Sequence, residues 1–119
     1  MRFRVVVQHR GTSTQPIRFA QGSVITISKK FKSDRGGDYW YFCSAPDSLT
    51  GWVPEEIIEQ LALGSGKALE DFSALELNVD IGDVLIGSRI LNGWLWCHRP
   101  SETRRGWVPL KNLRRTDHD

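Results

Sequence analysis

Gly51-Trp52-Val53-Pro54 returns 55 residues later as Gly106-Trp107-Val108-Pro109. Each copy follows a short aromatic run that ends in cysteine, Tyr39-Trp40-Tyr41-Phe42-Cys43 before the first and Trp94-Leu95-Trp96-Cys97 before the second. All five tryptophans lie in these two blocks. A phrase repeated at a fixed interval marks an internal repeat, and that organises the reading of the whole chain. Strand alternation sends Trp52 and Val53 to opposite faces, and likewise Trp107 and Val108. Valine is the better core residue, so both tryptophans are expected to point outward. There they either meet a partner or cap the edge of the sheet; both readings stand.

Working outward, short β-branched or aromatic runs alternate with turn signals. Phe3 to Val7, Ile17 to Phe19, Val24 to Ile27, Tyr39 to Ser44 and Trp52 to Pro54 read as strands of a first half. Glu55 to Ile58 reads as one tight helical turn. Lys29 to Asp38 carries charge and a Gly36-Gly37 pair and reads as a mobile hairpin loop. The second half repeats the plan: Lys67 to Phe72, Leu77 to Ile81, Val84 to Ile86, Trp94 to Cys97 and Trp107 to Pro109. Asn92-Gly93 is a strong hairpin signal because both residues tolerate positive φ. Arg114 to Asp119 reads as a frayed charged tail. Gln60 to Gly66 ends in Gly-Ser-Gly and reads as a linker whose Leu61 and Leu63 dock on one of the units.

These observations predict an all-β chain of two small five-stranded barrels in tandem, residues 1–60 and 67–119 joined by linker 61–66. Each unit is near the lower size limit for a self-sufficient core, and packing the two together relieves that. The N-terminus is too short in apolar residues for a signal peptide, and no run is long enough to span a membrane. The expected location is cytoplasmic. Cys43 and Cys97 take the same place in each repeat, so two separate buried thiols are expected instead of a disulfide. His9, His98 and His118 do not make ligand spacing with them, so no metal or other cofactor is expected. No phosphate loop, serine elbow or carboxylate pair is present, which argues against an enzyme. A net charge of +2 gives no general pull on nucleic acid.

The second half resembles an SH3 domain. Ala68-Leu69-Glu70-Asp71-Phe72 is similar to that family's Ala-Leu-Tyr-Asp-Tyr/Phe opening, Gly82-Asp83-Val84-Leu85 to its Gly-Asp-x-Leu, Gly93-Trp94 to the start of its Trp-Trp strand, and Gly106 to Pro109 to its Gly-x-Val/Phe-Pro. The first half matches through Gly22-Ser23-Val24-Ile25, Tyr39-Trp40 and Gly51 to Pro54, without the opening motif. The resemblance implies binding of extended, often proline-rich peptides between aromatic rings, with acidic loop residues pairing a basic ligand residue. It carries over to Phe72, Trp94 and Pro109, with Glu76 and Asp80 as the acidic residues; Trp107 is a further candidate. Tyr39, Trp40 and Pro54 make a partial groove in the first half, where His9, Arg10 and Arg18 replace the acids. Two groove aromatics are missing: Glu70 takes one position, and Leu113 or Asn112 the other.

The expectation is a non-enzymatic adaptor whose partner is a protein or peptide, with proline-rich segments among the candidates. Two alternatives stand beside it. One is nucleic-acid or acidic-surface binding through Arg99, Arg104, Arg105, Arg114 and Arg115, against which the acids from Glu70 to Asp83 weigh. The other is a purely structural or self-associating role.

Overall fold

A computed structural model describes residues 1–33 and 38–117. The expected Gly36-Gly37 loop and the last two residues of the tail lie outside the described residues. Among the described residues twelve strands follow in order: β1 (Arg2–Val5), β2 (Arg18–Phe19), β3 (Val24–Lys32), β4 (Tyr39–Ser44), β5 (Thr50–Pro54), β6 (Ile58–Ala62), β7 (Ser65–Ala68), β8 (Phe72–Ser73), β9 (Val84–Leu91), β10 (Trp94–His98), β11 (Gly106–Pro109) and β12 (Leu113–Arg115). Single 3-10 turns at Glu55–Ile57 and Leu110–Asn112 follow the two prolines of the repeated phrase. The fold is all-β and SH3-like.

The strands do not divide at residue 60. One five-stranded sheet runs β5-β4-β3-β7-β6 and the other β11-β10-β9-β1-β12. The N-terminal strand β1 therefore sits among strands of the second repeat, and β7, which opens the second repeat, sits among strands of the first. The compact units are Thr14–Ala74 and, discontinuously, Met1–Ser13 with Leu75–Asp119. This replaces the expected boundaries at 1–60 and 67–119.

The expected linker is a hairpin. β6 and β7 pair antiparallel from Ile58↔Ala68 to Ala62↔Ser65. Gly64 closes the turn at φ 79°, a left-handed conformation that glycine adopts without a Cβ penalty. Leu63 at the tip is 99% exposed and Leu61 53%, so neither docks.

The two sheets use matching registers. Phe3 lies opposite Leu85 and Arg115, while Gly66 lies opposite Ile25 and Gln60. Gly82 N donates to Val5 O at 2.9 Å, and Gly22 N to Ala68 O at 2.8 Å. Val5 and Ala68 are thus counterparts, and so are Phe3 and Gly66. Side-chain volume fixes which strand goes where. A Cβ at Gly66 would lie 2.5 Å from Ile58 Cγ2 and 3.0 Å from Ile27 Cδ1, so a phenylalanine cannot sit there. In the other sheet Gly87, opposite Cys97, stands where Ile27 stands opposite Cys43. Its own Cβ would meet Leu95 Cδ1 at 2.5 Å. Gly66 beneath Ile58 and Ile27, and Gly87 beneath Leu95 in the sheet that seats Phe3, are two ways of filling a core of the same layout. Close-packed interiors penalise the mismatched combination in either direction.

The core of the discontinuous unit holds Phe3, Val5, Leu77, Val79, Leu85, Leu95, Cys97 and Val108. In Thr14–Ala74 the buried residues include Ile17, Phe19, Ile25, Tyr41, Cys43, Val53, Ile57, Ile58 and Ala68. Both valines of the repeated phrase are fully buried, as alternation predicts. Both cysteines are free and buried, as expected from their matched positions.

Candidate interaction surfaces

The residues singled out from sequence are divided between the two compact units. Trp94, Pro109, Trp107, Glu76 and Asp80 belong to the discontinuous unit, whereas Phe72, Trp40 and Pro54 belong to Thr14–Ala74. Phe72 stacks on Phe19, its partner across the β2–β8 pair, with centroids 5.6 Å apart. The strand exchange carries it into a different unit from Trp94.

In the discontinuous unit the place opposite Val79 that Phe72 holds opposite Phe19 is taken by His9. The His9 ring meets Trp94 edge-on at 5.7 Å. Its Nε2 pairs with Glu76 Oε1 at 2.7 Å. Trp94 faces Pro109 across β10–β11, and Pro109 is buried. Arg10 pairs with Asp80, and its Nη1 donates to Val79 O at 2.7 Å. The two acids expected to receive a basic ligand residue are thus each engaged by a side chain of this chain, Glu76 by His9 and Asp80 by Arg10. Of the two candidates for the missing groove aromatic, Asn112 corresponds to Ile57 of the other unit. Its carbonyl accepts from Val6 N at 2.8 Å, as Ile57 O accepts from Leu69 N at 2.9 Å.

Trp107 overturns the outward expectation. It is 8% exposed, while Trp52 is 41% exposed. The reason is local: Leu75 O accepts from Trp107 N at 2.9 Å, Trp107 O accepts from Leu77 N at 3.1 Å, and the Trp96 ring packs at 5.1 Å. The 75–77 backbone is hydrogen-bonded alongside this tryptophan, so it serves as core.

In Thr14–Ala74 the matching face stays open. Phe42 and Trp52 face each other across β4–β5, with centroids at 5.1 Å. Phe31 packs edge-on to Trp52 at 5.9 Å and lies opposite Trp40, which in turn lies opposite the buried Pro54. Phe31 is 52% exposed. On the other side of the same hairpin, Lys30 Nζ sits 4.3 Å from the Tyr39 ring centroid and 2.8 Å from Glu55 Oε2. That contact with the Glu55 carboxylate raises the lysine pKa. Tyr41 donates to Glu55 Oε2 at 3.2 Å, and burial, then the nearby carboxylate, raises its pKa. Phe31 and Phe42 were not singled out from sequence. The period-2 pattern Phe31, then Trp40 and Phe42, carries the signal, but β3 extends through a stretch that its lysines made look like loop.

The basic cluster is also divided. Arg99 Nη2 binds Asp83 Oδ2 at 2.8 Å and Asn78 O at 2.9 Å. The Asp80 backbone N–H and then Arg99 hold the Asp83 carboxyl below its usual range, against the opposing effect of burial. Arg104, with Leu77, Asn78 and Arg99, lines an open cleft of about 500 Å³. Arg115 is bound to Asp117 at 2.8 Å, and Arg114 lies on β12 opposite Arg4.

Among the described residues no group of three His, Cys, Asp or Glu side chains could hold a metal ion. Burial pushes both Cys43 and Cys97 up to about 12, so neither is a thiolate at neutral pH.

No curated protein and no solved structure matches the chain. The family model of the variant SH3 domain matches residues 2–61, one contiguous stretch whose first strand the structure seats apart from the rest. That stretch covers half the chain, and with the SH3-like strand order it places the protein in the variant SH3 domain family.

Proposed function

We propose that this is a non-enzymatic protein-interaction module of two SH3-like barrels with exchanged opening strands, and that it engages a peptide through the aromatic face of Thr14–Ala74. The observation that carries this reading is the asymmetry of the repeated phrase. Trp52, with Phe31 and Phe42 against it, is open to solvent, while its counterpart Trp107 is covered. Large aromatic side chains exposed as a contiguous patch are uncommon on a surface with no partner. They bring contact area at low entropic cost. Support for an SH3-type peptide ligand comes from the family, whose domains are in general binding modules without catalysis. The self-paired acids Glu76 and Asp80 and the buried Trp107 weigh against the discontinuous unit as the primary site.

Titrating the full chain with a panel of proline-rich and non-proline peptides, followed by amide shifts, tests this. The expected shifts centre on Phe31, Phe42 and Trp52. Trp52→Ala is expected to weaken binding by about 30-fold, the loss of about 2 kcal/mol typical of a central aromatic anchor. Shifts confined to Trp94 and His9, or none with any peptide, would count against the assignment.

A further inference from the structure

The strand exchange sets two arginines against each other. Arg4 on β1 lies directly opposite Arg114 on β12. Side chains in such a pair start about 5 Å apart at Cβ, and like charges there repel. The counterpart pair in the other sheet is Lys67 opposite Glu59, a charge-matched pair. Alternation puts Arg2 on the same outward side as Arg4, while Phe3 and Val5 point into the core. Among the described residues no carboxylate is in ion-pair contact with Arg2, Arg4 or Arg114. Asp117, two residues past β12, is held by Arg115 and by the Arg2 backbone N–H, and Asp83 by Arg99. Half-buried Val84 and Ile86 lie beside Arg4 and Arg2 on β9. The result is a strand face of three unmatched guanidinium groups over an aliphatic floor.

We infer that Arg2, Arg4 and Arg114 form a docking face for an extended acidic segment of a partner protein, with carboxylates at alternate positions. An extended chain repeats its side chains on one face about every 7 Å, the same interval that separates Arg2 from Arg4. Each guanidinium can take one carboxylate in a bidentate pair. A nucleic-acid strand fits less well. The residues directly beside the arginines are aliphatic, the ring on the next strand being that of half-buried His98 opposite Ile86, and three phosphate contacts give only weak counterion-release binding. This site is separate from the aromatic face of Thr14–Ala74 and does not depend on it.

The test uses the full chain and a fluorescein-labelled eight-residue peptide of alternating glutamate and threonine, read by anisotropy and by amide shifts. The controls are the same peptide with glutamine for glutamate and a ten-nucleotide oligothymidylate. The glutamate peptide is expected to bind with shifts at Arg4 and Arg114, and Trp52→Ala leaves that binding unchanged. Arg114→Glu restores the charge match seen at Lys67 and Glu59. It is expected to weaken peptide binding at least about tenfold while raising the thermal unfolding temperature. The rise in unfolding temperature separates a lost docking site from a damaged fold. Equal binding of the glutamine peptide, binding of the oligonucleotide in place of the peptide, or unchanged affinity in Arg114→Glu would overturn the assignment.

Discussion

Truncating Phe3 to alanine is expected to cost about 3–5 kcal/mol, the usual range for a buried phenylalanine. It is also expected to loosen the far end of the sequence, not the residues that follow Phe3. The side chain is 5% exposed and packs with Leu77, Val79, Leu85, Leu95 and Val108. None of its core neighbours lies between residues 6 and 74. Gly87 beside it cannot grow to fill the space, because its Cβ would strike Leu95. Against a total stability of about 5–15 kcal/mol, such a loss removes a large fraction. Native-state hydrogen exchange locates it: protection should fall first at Leu85, Leu95 and Val108 while Ile25, Tyr41 and Val53 keep theirs. The opposite pattern would mean that β1 closes the sheet of its own repeat.

The second large effect is alkaline unfolding. Burial raises the Cys43 and Cys97 thiols from 9.0 to about 12 in the folded chain. Between those values the unfolded chain has released each thiol proton and the folded chain has kept it. The unfolded state then binds fewer protons, so stability falls as pH rises. The contribution is fully present below about pH 9 and gone by about pH 12. At roughly 1.4 kcal/mol per pH unit, each thiol removes on the order of 4 kcal/mol. Each compact unit carries one such thiol, and the raised Tyr41 acts in the same direction in Thr14–Ala74. Urea denaturation repeated from pH 7 to pH 11.5 should show a steep decline above pH 9. Cys43→Ala and Cys97→Ala should each flatten it, and an unchanged slope in both variants would exclude the thiols as its cause.

Much of the fold was legible in the sequence because it rests on local chemistry. The repeated phrase, the inward valines 53 and 108, the Asn92-Gly93 turn and the helical turn after Pro54 follow from alternation, turn propensity and proline geometry. The free, buried cysteines follow from the repeat. The exchange of β1 and β7 does not, because a contiguous repeat reads the same whichever sheet its first strand enters. Its determinant is volume between residues far apart in sequence: Gly66 leaves room for Ile27, more than 35 positions earlier, where Phe3 would not fit. Missing it joined Phe72 to Trp94 in one expected groove, when His9 is the residue beside Trp94. The hairpin at Leu63-Gly64 was hidden for a related reason: a short Gly-Ser-Gly run suits a flexible linker and a strand turn equally well. The different fates of Trp52 and Trp107 lie in what covers them, and two identical four-residue phrases carry no sign of that.

The exchange of opening strands is most directly tested by interstrand nuclear Overhauser effects in the intact, isotope-labelled chain. The arrangement described here predicts contacts of Phe3 with Leu85 and Arg115, and of Gly66 with Ile25 and Gln60. Contacts of Phe3 with Ile25, together with Gly66 against Leu85, would contradict it.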